Sequence, residues 1–599
     1  MSLHHDCRLA FRSALGCLIA GCLSLTTACG FEAPAPRAAD GGGTLRFISE
    51  GAIDTLDPQG TSWLVDFRVI ECLFEPLLRA DPATGELQPA AAAALPKVSP
   101  DGRTYTFTLR EDARWSTGAV LRSADFVYAW RRAIMPDMGA DYSGLFLEIE
   151  GAEAFTAWRV DQLSRVAAGG LDGHAAWLEA KRHFADTVGL STPDDRTLVV
   201  RLRRPVAYFN ELAAFAAFMP LHADSAKAFE SVDPASGTVS LKPGYFTDPR
   251  ALVGNGPYKL TRWAFKQELV VDPNPHYWAR DRVANARVVV QVVADPVTAL
   301  LRYHNGEADW YPGVPTAAPQ SAELVAAGRS GDRNDVHYGP AAGTYFYLFN
   351  CNPQVDGVAN PLADPRVRRA LSMAVDRRLL VENVTRLNQP VARTFVPPGI
   401  LDGYTPPVDA GIGFDPEGAK ALLAEAGYPG GEGVSGLSVL VNSGGGHDIP
   451  ALAIANMWRT HLGVDVSVEE VEKTAFRERR RGQAFTIARG GWYGDYRDPT
   501  TFLDMLRTAD GNNDMKYAHP AYDALLQKAA DELDPAARMA LLADAEAMML
   551  RDQPIMPLYG YTNLELFDPD RLKGLHPNPW NVRRLDAVEV VEPADGGME

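Results

Sequence analysis

Cysteine is scarce in this chain of 599 residues, which contains six, and three of the six lie within the segment 1–28. The other three are Cys29, Cys72 and Cys351, and no two of them form a C-x-x-C pair, so a dedicated zinc site has little support. Cys72 and Cys351 each lie in an apolar stretch, where a small buried thiol is expected. A disulfide between them, formed in an oxidising compartment, is the less favoured alternative.

Positive charge is also in deficit, with 58 Lys and Arg against 76 Asp and Glu, a net charge of -18. A phosphate backbone attracts a basic surface, so this balance argues against a general nucleic-acid binder. No segment approaches about 18 consecutive apolar residues, and none is therefore predicted to span a membrane. The hydrophobic fraction of 46% is sufficient for well-packed cores, and the length predicts two or more domains.

The segment 1–28 has the pattern of a secretory signal peptide. Arg8 and Arg12 precede an uncharged run over 13–25, which is shorter than the roughly 20 residues of a membrane-spanning helix. The following residues resemble a bacterial lipobox, which predicts that Cys29 is acylated, becomes the mature N-terminus and anchors the protein, although Thr26 stands where Leu is usual. Cleavage after 33–35 without lipidation is the alternative. Residues 29–43 are predicted to be a flexible tether.

Strands and helices alternate along the remaining chain, which predicts α/β layers with partly parallel sheets. Asp364 and Asp415 each precede a proline and are predicted to cap helices, as is Ser123. Strands are predicted at 44–48, 104–109, 198–202, 288–293, 344–350, 437–441 and 464–468, and helices at 65–78, 123–132, 364–371, 419–426 and 449–462.

Motifs that carry catalysis are missing. The sequence has no H-E-x-x-H, no phosphate-binding G-x-x-x-x-G-K and no G-x-S-x-G motif. Residues 431–436 spell G-x-G-x-x-G but follow a helix and precede a strand, the reverse of the dinucleotide-binding order, so they are predicted to be a loop. The glycine cluster at 443–448 is predicted to be a surface loop. We therefore predict that the protein is not an enzyme and needs no cofactor or metal.

One segment, residues 485–499, combines glycines, aromatic residues and both signs of charge. Glycine lets a ligand approach the backbone closely, and aromatic walls with a few charges are typical of small-molecule sites. Asp498 precedes Pro499 and is predicted to cap a helix. Asp495 has no such structural role and is therefore a candidate binding residue, together with Gly491, Trp492 and Tyr493.

Ten short motifs, in order along nearly the whole mature chain, resemble one family. They lie at 56–58 (LDP), 73–78 (LFEPLL), 101–110 (DGRTYTFTLR), 113–118 (ARWSTG), 124–132 (ADFVYAWRR), 254–258 (GNGPY), 274–278 (NPHYW), 364–370 (DPRVRRA), 421–428 (ALLAEAGY) and 491–495 (GWYGD). The chain thereby resembles the solute-binding proteins of peptide ABC importers, the oligopeptide- and dipeptide-binding group of extracellular solute-binding protein family 5.

The resemblance implies a two-lobed α/β fold of the periplasmic-binding-protein type, joined by two crossover strands and closing on its ligand as a hinged trap. Lobe one would comprise 44–295 plus 562–599, with an inserted subdomain at about 80–200, and lobe two 296–561. The implied function is to capture short extended peptides in the periplasm or cell envelope and deliver them to a permease and ATPase complex in the inner membrane. The protein would act as a monomer without nucleic acid.

The resemblance also implies roles for single residues. Asp495 matches the carboxylate that receives the α-ammonium of the peptide, and Arg489 and Arg480 match arginines that neutralise its C-terminus. Pocket-lining aromatic residues are matched by Trp492, Tyr142 and Tyr561. A solvated helix face is the alternative for Arg480, and core packing is the alternative for the aromatic residues. Lys473 departs from the family, which has an aromatic residue there, and this favours acidic ligands.

Other functions stay open on the same fold. Relatives bind nickel, haem, glutathione, opines or sugars, and a non-peptide solute is the main alternative ligand. A secreted hydrolase is the remaining alternative, which turnover of a peptide would support.

Overall fold

The computed structural model of the protein describes residues 43–315, 320–443, 445–508 and 510–591. The predicted signal peptide, Cys29 and most of the predicted tether lie outside these residues. None of the helices within the described ranges is both long and apolar enough to cross a membrane.

Twenty-two strands form within the described residues. They are β1 Thr44–Ser49, β2 Leu78–Ala80, β3 Leu87–Pro89, β4 Lys97–Val98, β5 Thr104–Thr108, β6 Leu190–Asp194, β7 Thr197–Arg201, β8 Glu230–Val232, β9 Val239–Leu241, β10 Tyr258–Ala264, β11 Glu268–Pro273, β12 Arg287–Val292, β13 Trp310–Tyr311, β14 Val336–Phe349, β15 Gln354–Val355, β16 Val358–Ala359, β17 Leu437–Asn442, β18 Val466–Val471, β19 Ile487–Tyr493, β20 Ile555–Phe567, β21 Leu572–Lys573 and β22 Glu589–Val590.

The same residues form eighteen α-helices. They are α1 Leu64–Leu73, α2 Ser123–Ile134, α3 Ser143–Phe146, α4 Ala152–Ala167, α5 Gly173–Thr187, α6 Phe209–Leu212, α7 Ala223–Lys227, α8 Gly244–Thr247, α9 Pro296–His304, α10 Ser321–Ser330, α11 Pro365–Met373, α12 Arg377–Leu379, α13 Pro416–Glu425, α14 Asp448–Leu462, α15 Lys473–Arg481, α16 Thr500–Leu503, α17 Pro520–Asp531 and α18 Pro535–Asp552.

One ten-stranded sheet carries the architecture, in the order β10-β11-β12-β1-β13-β20-β14-β19-β17-β18. Strand β1 is parallel to both of its neighbours, and β17 is parallel to β18 and β19. The remaining pairs in this sheet are antiparallel. The predicted α/β class with partly parallel sheets is confirmed.

Two long strands, β14 and β20, run through the middle of this sheet as an antiparallel pair. Their register breaks between Pro340 and Thr344, where proline cannot donate a ladder hydrogen bond. Only the part of β14 beyond this break also pairs with β19. The predicted strand at 344–350 is this second part, and the strand begins earlier than predicted, at Val336.

Buried apolar side chains form separate clusters on the two sides of these strands. The largest cluster packs Phe47, Phe126 and Trp130 with other side chains, most of them within 45–292 or in the C-terminal segment. Two further clusters lie almost wholly between 345 and 559. The predicted boundaries of the lobes, 44–295 plus 562–599 and 296–561, stay a prediction.

A separate four-stranded antiparallel sheet, in the order β4-β5-β7-β6, lies between residues 97 and 201. Helices α4 and α5 fall between its strands β5 and β6 in sequence and pack against each other. Its side chains Tyr105, Phe107 and Leu198 join the largest buried cluster. The inserted subdomain predicted at about 80–200 stays a prediction.

Two of the predicted helix caps are confirmed. The Asp364 carboxylate accepts the backbone N–H of Arg366, and the Asp415 carboxylate accepts that of Gly418. Gly427 follows helix α13 with a φ of +97°, a conformation that costs glycine little. These ends were predictable because capping depends on neighbours in sequence.

The predicted cap at Ser123 is wrong by one residue. The capping position belongs to Arg122, whose backbone N–H donates to the carboxylate of Asp125. The Ser123 hydroxyl donates instead to the Asp194 carbonyl, 71 residues away in sequence. A tertiary contact therefore takes the hydroxyl that local spacing assigned to the cap.

The helix predicted at 65–78 is shorter than expected. Helix α1 ends at Leu73, and Phe74 is extended with φ of -128° and ψ of 156°. Pro76 restricts the residue before it to extended conformations, which stops the helix although the apolar spacing continues.

Cys72 and Cys351 are both free thiols, Cys72 buried and Cys351 half-buried. The interpretation of small buried thiols is therefore confirmed, and the alternative of a disulfide between them is wrong. Burial raises the pKa of both thiols, which keeps them protonated.

Candidate functional site

Two cavities border strand β19 and the loop that follows it. The larger, of about 660 Å³, is lined by side chains within 62–212, such as Tyr142 and Tyr208, and by side chains within 477–527, including Asp495. The smaller, of about 530 Å³, is lined by Tyr345 and Tyr561 among others. Tyr493 contributes to the walls of both cavities, so the two are neighbours.

Strand β19 supplies several of the predicted residues because it lies between β14 and β17 in the sheet. Side chains alternate along a strand, so Arg489, Gly491 and Tyr493 share one face. A Cβ atom on Gly491 would lie 2.0 Å from the Tyr561 hydroxyl. Glycine is therefore required here for the close approach of Tyr561, whose ring stacks on that of Tyr493 at 4.5 Å.

Asp495 lies just beyond the end of β19, half-buried in the wall of the larger cavity. The Tyr142 hydroxyl donates to its Oδ1 atom at 2.8 Å, and its own backbone N–H donates to the Thr501 hydroxyl. Across the described residues, no Lys, Arg or His side chain forms an ion pair with Asp495. Burial raises the pKa of Asp495 to about 6, against the opposite effect of the Tyr142 hydrogen bond.

Arg489 is half-buried behind the wall of the smaller cavity. Its guanidinium donates to the Tyr561 hydroxyl at 3.1 Å and lies 5.3 Å from the centre of the Tyr345 ring. Its Nε atom has no hydrogen-bond partner among the described residues. The side chain is thus a half-buried cation beside tyrosines, with one buried N–H group left unpaired, which is costly to maintain without an anion.

Arg480 has a different environment. It donates to the carboxylate of Asp514 at 2.7 Å and belongs to the wall of neither cavity. The structure therefore does not bring it into the same place as Asp495. Its side chain is 22% exposed, which also differs from a fully solvated helix face.

The predicted aromatic residues do meet around the cavities. Tyr142 and Trp492 line the larger cavity, Tyr561 lines the smaller, and Tyr493 lines both. Tyr142 also packs against Phe67 and Phe215, at ring-centre distances of 6.1 and 4.8 Å. Tyr142 therefore combines core packing with a hydroxyl that reaches the cavity.

The loop after Asp495 is held by contacts of its neighbours. Tyr496 stacks on Tyr208 at 4.7 Å, and the carboxylate of Asp498 accepts the N–H of Thr500. Asp498 also pairs with Arg538 through two hydrogen bonds of 2.6 and 2.8 Å. The capping position of helix α16 is Pro499, without a side-chain cap, so the cap predicted at Asp498 is wrong by one residue, although its carboxylate accepts the N–H of the first helical residue. The buried ion pair is a role that sequence spacing did not indicate.

His447 is a residue of the smaller cavity that sequence reasoning missed. The glycine cluster was predicted to be a surface loop, but Gly445, Gly446 and His447 line this cavity. The His447 Nδ1 atom lies 3.2 Å from the Tyr345 hydroxyl. Burial and the charge of Arg489 lower its pKa to about 3, so the imidazole is neutral. A single histidine at the end of a glycine run, next to helix α14, was the available signal.

The cavities contain no obvious metal-binding group. Within the described residues, no set of three or more His, Cys, Asp or Glu side chains is placed to hold a metal ion. What the larger cavity offers is a half-buried carboxylate with a hydroxyl donor and aromatic walls. Such a site suits a ligand with a positive group and an apolar body.

Comparison with known proteins relates the chain to one family. Residues 86–514 match the family described as bacterial extracellular solute-binding proteins, family 5 Middle. The chain is 32% identical over 544 residues to the periplasmic murein peptide-binding protein MppA of Escherichia coli, covering 90% of this chain and 91% of that protein. It is 30% identical over 514 residues to the oligopeptide-binding protein OppA of Bacillus subtilis, covering 85% of each.

Solved structures agree in fold over nearly the whole chain. The Escherichia coli murein tripeptide binding protein MppA superposes with a TM-score of 0.74 at 30% identity, covering 92% of this chain and 99% of that one. Haemophilus influenzae OppA in complex with the peptide RPPGFSPFR superposes with a TM-score of 0.73 at 26% identity, covering 92% and 100%.

Proposed function

Because the chain belongs to the bacterial extracellular solute-binding proteins of family 5, we propose that it is the substrate-binding component of an ABC importer for short peptides. It has the two-lobed α/β fold of that family. Members of the family bind substrates, and we propose that this protein likewise returns its ligand unchanged. Its relatives include oligopeptide-binding and murein peptide-binding proteins, which supports a peptide as the ligand.

The observation that carries this proposal is the environment of Asp495. A half-buried carboxylate whose only side-chain partner in the described part of the chain is the Tyr142 hydroxyl has spare acceptor capacity toward the larger cavity. The α-ammonium of a peptide supplies three N–H donors and a positive charge that lowers the cost of burying the carboxylate. We therefore assign Asp495 to the N-terminus of the ligand.

The opposite end of the peptide needs a positive group. Arg489 is half-buried without a carboxylate partner among the described residues, and we propose that it neutralises the peptide C-terminus, directly or through water. Neutral His447 and the hydroxyl of Tyr561 lie beside it as further polar contacts. Arg480 is already neutralised by Asp514, so we do not assign it to the peptide C-terminus.

Closure around the ligand is the second part of the proposal. The larger cavity has walls from both predicted lobes, 44–295 plus 562–599 and 296–561, and strand β20 crosses from the second to the first while pairing with β14. The register break between Pro340 and Thr344 provides a point at which this connection can bend. We propose that the lobes close on the peptide by bending there.

Native mass spectrometry of the purified protein tests the function. Tight and broad peptide binders retain ligand through purification, so we expect a ladder of bound masses that sequence as short peptides. A single non-peptide mass or a bound metal would contradict the proposal and indicate another ligand on the same fold. Recovery of cleaved peptide after incubation would contradict the absence of catalysis.

We propose that the protein acts outside the cytoplasmic membrane, because its relatives include periplasmic binding proteins. There it would act as a monomer that delivers peptides to a membrane permease and ATPase.

The lipobox-like sequence before Cys29 supports anchoring by acylation, since each buried CH₂ group contributes about 0.8 kcal/mol. We expect Cys29→Ser to move the protein from the membrane to the soluble fraction of cells. Continued membrane retention of this variant would contradict the anchor.

Peptide affinity should depend on pH through Asp495. Only the ionised carboxylate pairs with an ammonium, and the pKa of Asp495 without ligand is about 6. Calorimetric titration is therefore expected to show nearly constant affinity between pH 6 and about pH 8, where the peptide α-ammonium begins to lose its proton, and about a tenfold loss for each pH unit below 6.

The free energy of unfolding of the ligand-free protein should fall as the pH rises, whereas the affinity for peptide should rise. The folded pKa of Asp495 lies above its ordinary value, so the fold holds this proton more tightly than the unfolded chain does. This contribution to stability is present at low pH and is lost as the pH rises through 6. Asp495→Asn should remove both dependences, and an unchanged affinity profile in that variant would assign the titration to another group.

A further inference from the structure

Helix α15 carries five cations in nine residues, in a protein whose net charge is negative. Lys473, Arg477 and Arg481 are spaced four residues apart and therefore lie along one face of the helix. Like charges at this spacing repel each other and destabilise a helix. We call these three residues the basic stripe. Because their repulsion destabilises the helix, we expect the stripe to have a function that offsets this cost.

The two other cations of the helix are already neutralised. Arg479 pairs with Glu469, and Arg480 pairs with Asp514, both at 2.7 Å. Among the described residues, by contrast, no salt bridge within 4 Å involves a residue of the basic stripe. The acidic groups that act on Lys473 do so at longer range, namely Asp54 and its chain neighbour Glu472, whose carboxylate caps the helix.

The basic stripe faces the larger cavity and its rim. Arg477 and Arg481 belong to the wall of that cavity, which they share with Asp495. The Lys473 Nζ atom lies 3.3 Å from the centre of the Trp63 ring, and the Arg477 guanidinium lies 5.5 Å from it. Trp63 is 40% exposed and follows Ser62, another residue of the wall, so the stripe runs from the rim into the cavity.

Most other charges of the cavity are paired with each other. Arg203 and Arg204 contact Glu148, and Arg507 contacts Asp504.

The carboxylates without a cation are few. Asp141 accepts a hydrogen bond from Ser62, Asp510 accepts the backbone N–H of Asn512, and Asp495 accepts from Tyr142. The cavity thus offers Asp495 for a positive group and the basic stripe for a negative one.

We propose that the basic stripe is a subsite for an acidic side chain of the ligand, so that the protein prefers peptides containing Glu or Asp. This inference rests on the proposed peptide-binding function and specifies its substrate class. A ligand carboxylate beside Arg477 would form charge-assisted hydrogen bonds and relieve the repulsion along the helix.

The electrostatics of Lys473 support the same assignment. Partial burial and the charge of Arg477 lower the pKa of Lys473, which shows that the two cations already act on each other. The Lys473 ammonium lies above the Trp63 ring, where a cation–π interaction stabilises a cation that has no anionic partner within salt-bridge distance among the described residues. A bound carboxylate would replace repulsion by attraction at this end of the cavity.

Calorimetric titration with matched tripeptides tests the inference. The probes are Glu-Ala-Ala, Ala-Glu-Ala and Ala-Ala-Glu, each compared with the same peptide carrying Gln in place of Glu. We expect at least one glutamyl peptide to bind about tenfold more tightly than its glutaminyl counterpart. The difference should shrink as salt is added, because the stripe is partly exposed and therefore screened.

Substitutions on α15 locate the preference. Arg477→Gln, alone and combined with Lys473→Gln and Arg481→Gln, should remove the glutamyl advantage while glutaminyl peptides keep their affinity within about twofold. Arg479→Gln is the matched control on the same helix and should leave the advantage in place. All these side chains are half-buried or exposed, so the variants are expected to fold.

The outcomes separate the two proposals. Equal affinity for glutamyl and glutaminyl peptides, or an advantage that survives in the triple variant, overturns the acidic subsite and leaves peptide binding intact. Binding of none of the six peptides by the unaltered protein contradicts the peptide-binding function itself, and the subsite with it.

Discussion

Replacing Asp495 with Asn should weaken the binding of free-amine peptides by about two to four orders of magnitude. The substitution keeps the shape and the acceptor for Tyr142 but removes the charge that compensates the buried ammonium. Leaving one partner of a buried ion pair unpaired costs about 3 to 5 kcal/mol. Calorimetric titration with one peptide of known sequence measures the loss directly.

Two controls isolate the charge pair at Asp495. An N-acetylated version of the same peptide should bind the unaltered protein weakly and should lose little further in Asp495→Asn, because the pair is already absent. Asp510→Asn changes another carboxylate of the same cavity and should leave the affinity nearly unchanged. If Asp495→Asn binds the free-amine peptide as tightly as the unaltered protein, the assignment of the ammonium to Asp495 is wrong.

Replacing Arg538 with Met should lower the free energy of unfolding by about 3 to 5 kcal/mol. Arg538 and Asp498 have side chains only 4% and 5% exposed and share two hydrogen bonds. Met fills much of the same volume but leaves the Asp498 carboxylate buried without its cation. Urea denaturation monitored by tryptophan fluorescence should therefore show an earlier transition.

Arg203→Met makes the same change in an ion pair where Arg203 is 46% exposed, and it should cost less than about 1 kcal/mol. The double variant Arg538→Met with Asp498→Asn removes the unpaired charge but keeps an acceptor for the Thr500 N–H, and it should recover part of the loss. A single variant Arg538→Met as stable as the unaltered protein would show that solvent or another group compensates Asp498. Because Asp498 lies three residues after Asp495 in the chain, the Asp498–Arg538 ion pair also holds the loop after Asp495 in place.

The chemistry of the site was only partly predictable from sequence. Sequence indicated Asp495 as a candidate because it lies in a glycine- and aromatic-rich segment without a capping role, and because ten ordered motifs resemble one family; its binding role stays a prediction. His447 was missed because its loop, viewed alone, is a run of glycines. The partner of Arg480 was missed as well, because Asp514 is 34 residues away in sequence and only packing brings the two side chains together.

The fold, too, was only partly predictable from the sequence. Alternating strand and helix patterns predicted the α/β class, and the caps at Asp364 and Asp415 follow from neighbours in sequence. The cap assigned to Ser123 failed because its hydroxyl bonds to a distant carbonyl. The start of strand β14 was missed because Gly339 and Pro340 interrupt the apolar alternation that identifies a strand.

By itself, the sequence determined the fold class, the helix starts capped by Asp364 and Asp415, and the residue types available for binding, because these depend on propensities and spacings between near neighbours in the chain. Only the tertiary structure decided which charges are free to bind a ligand. Arg479 and Arg480 are neutralised by carboxylates from other elements, whereas Arg477 faces a cavity on the same helix. A charge becomes a binding group only when packing leaves it without a partner, and that depends on contacts between residues far apart in the chain.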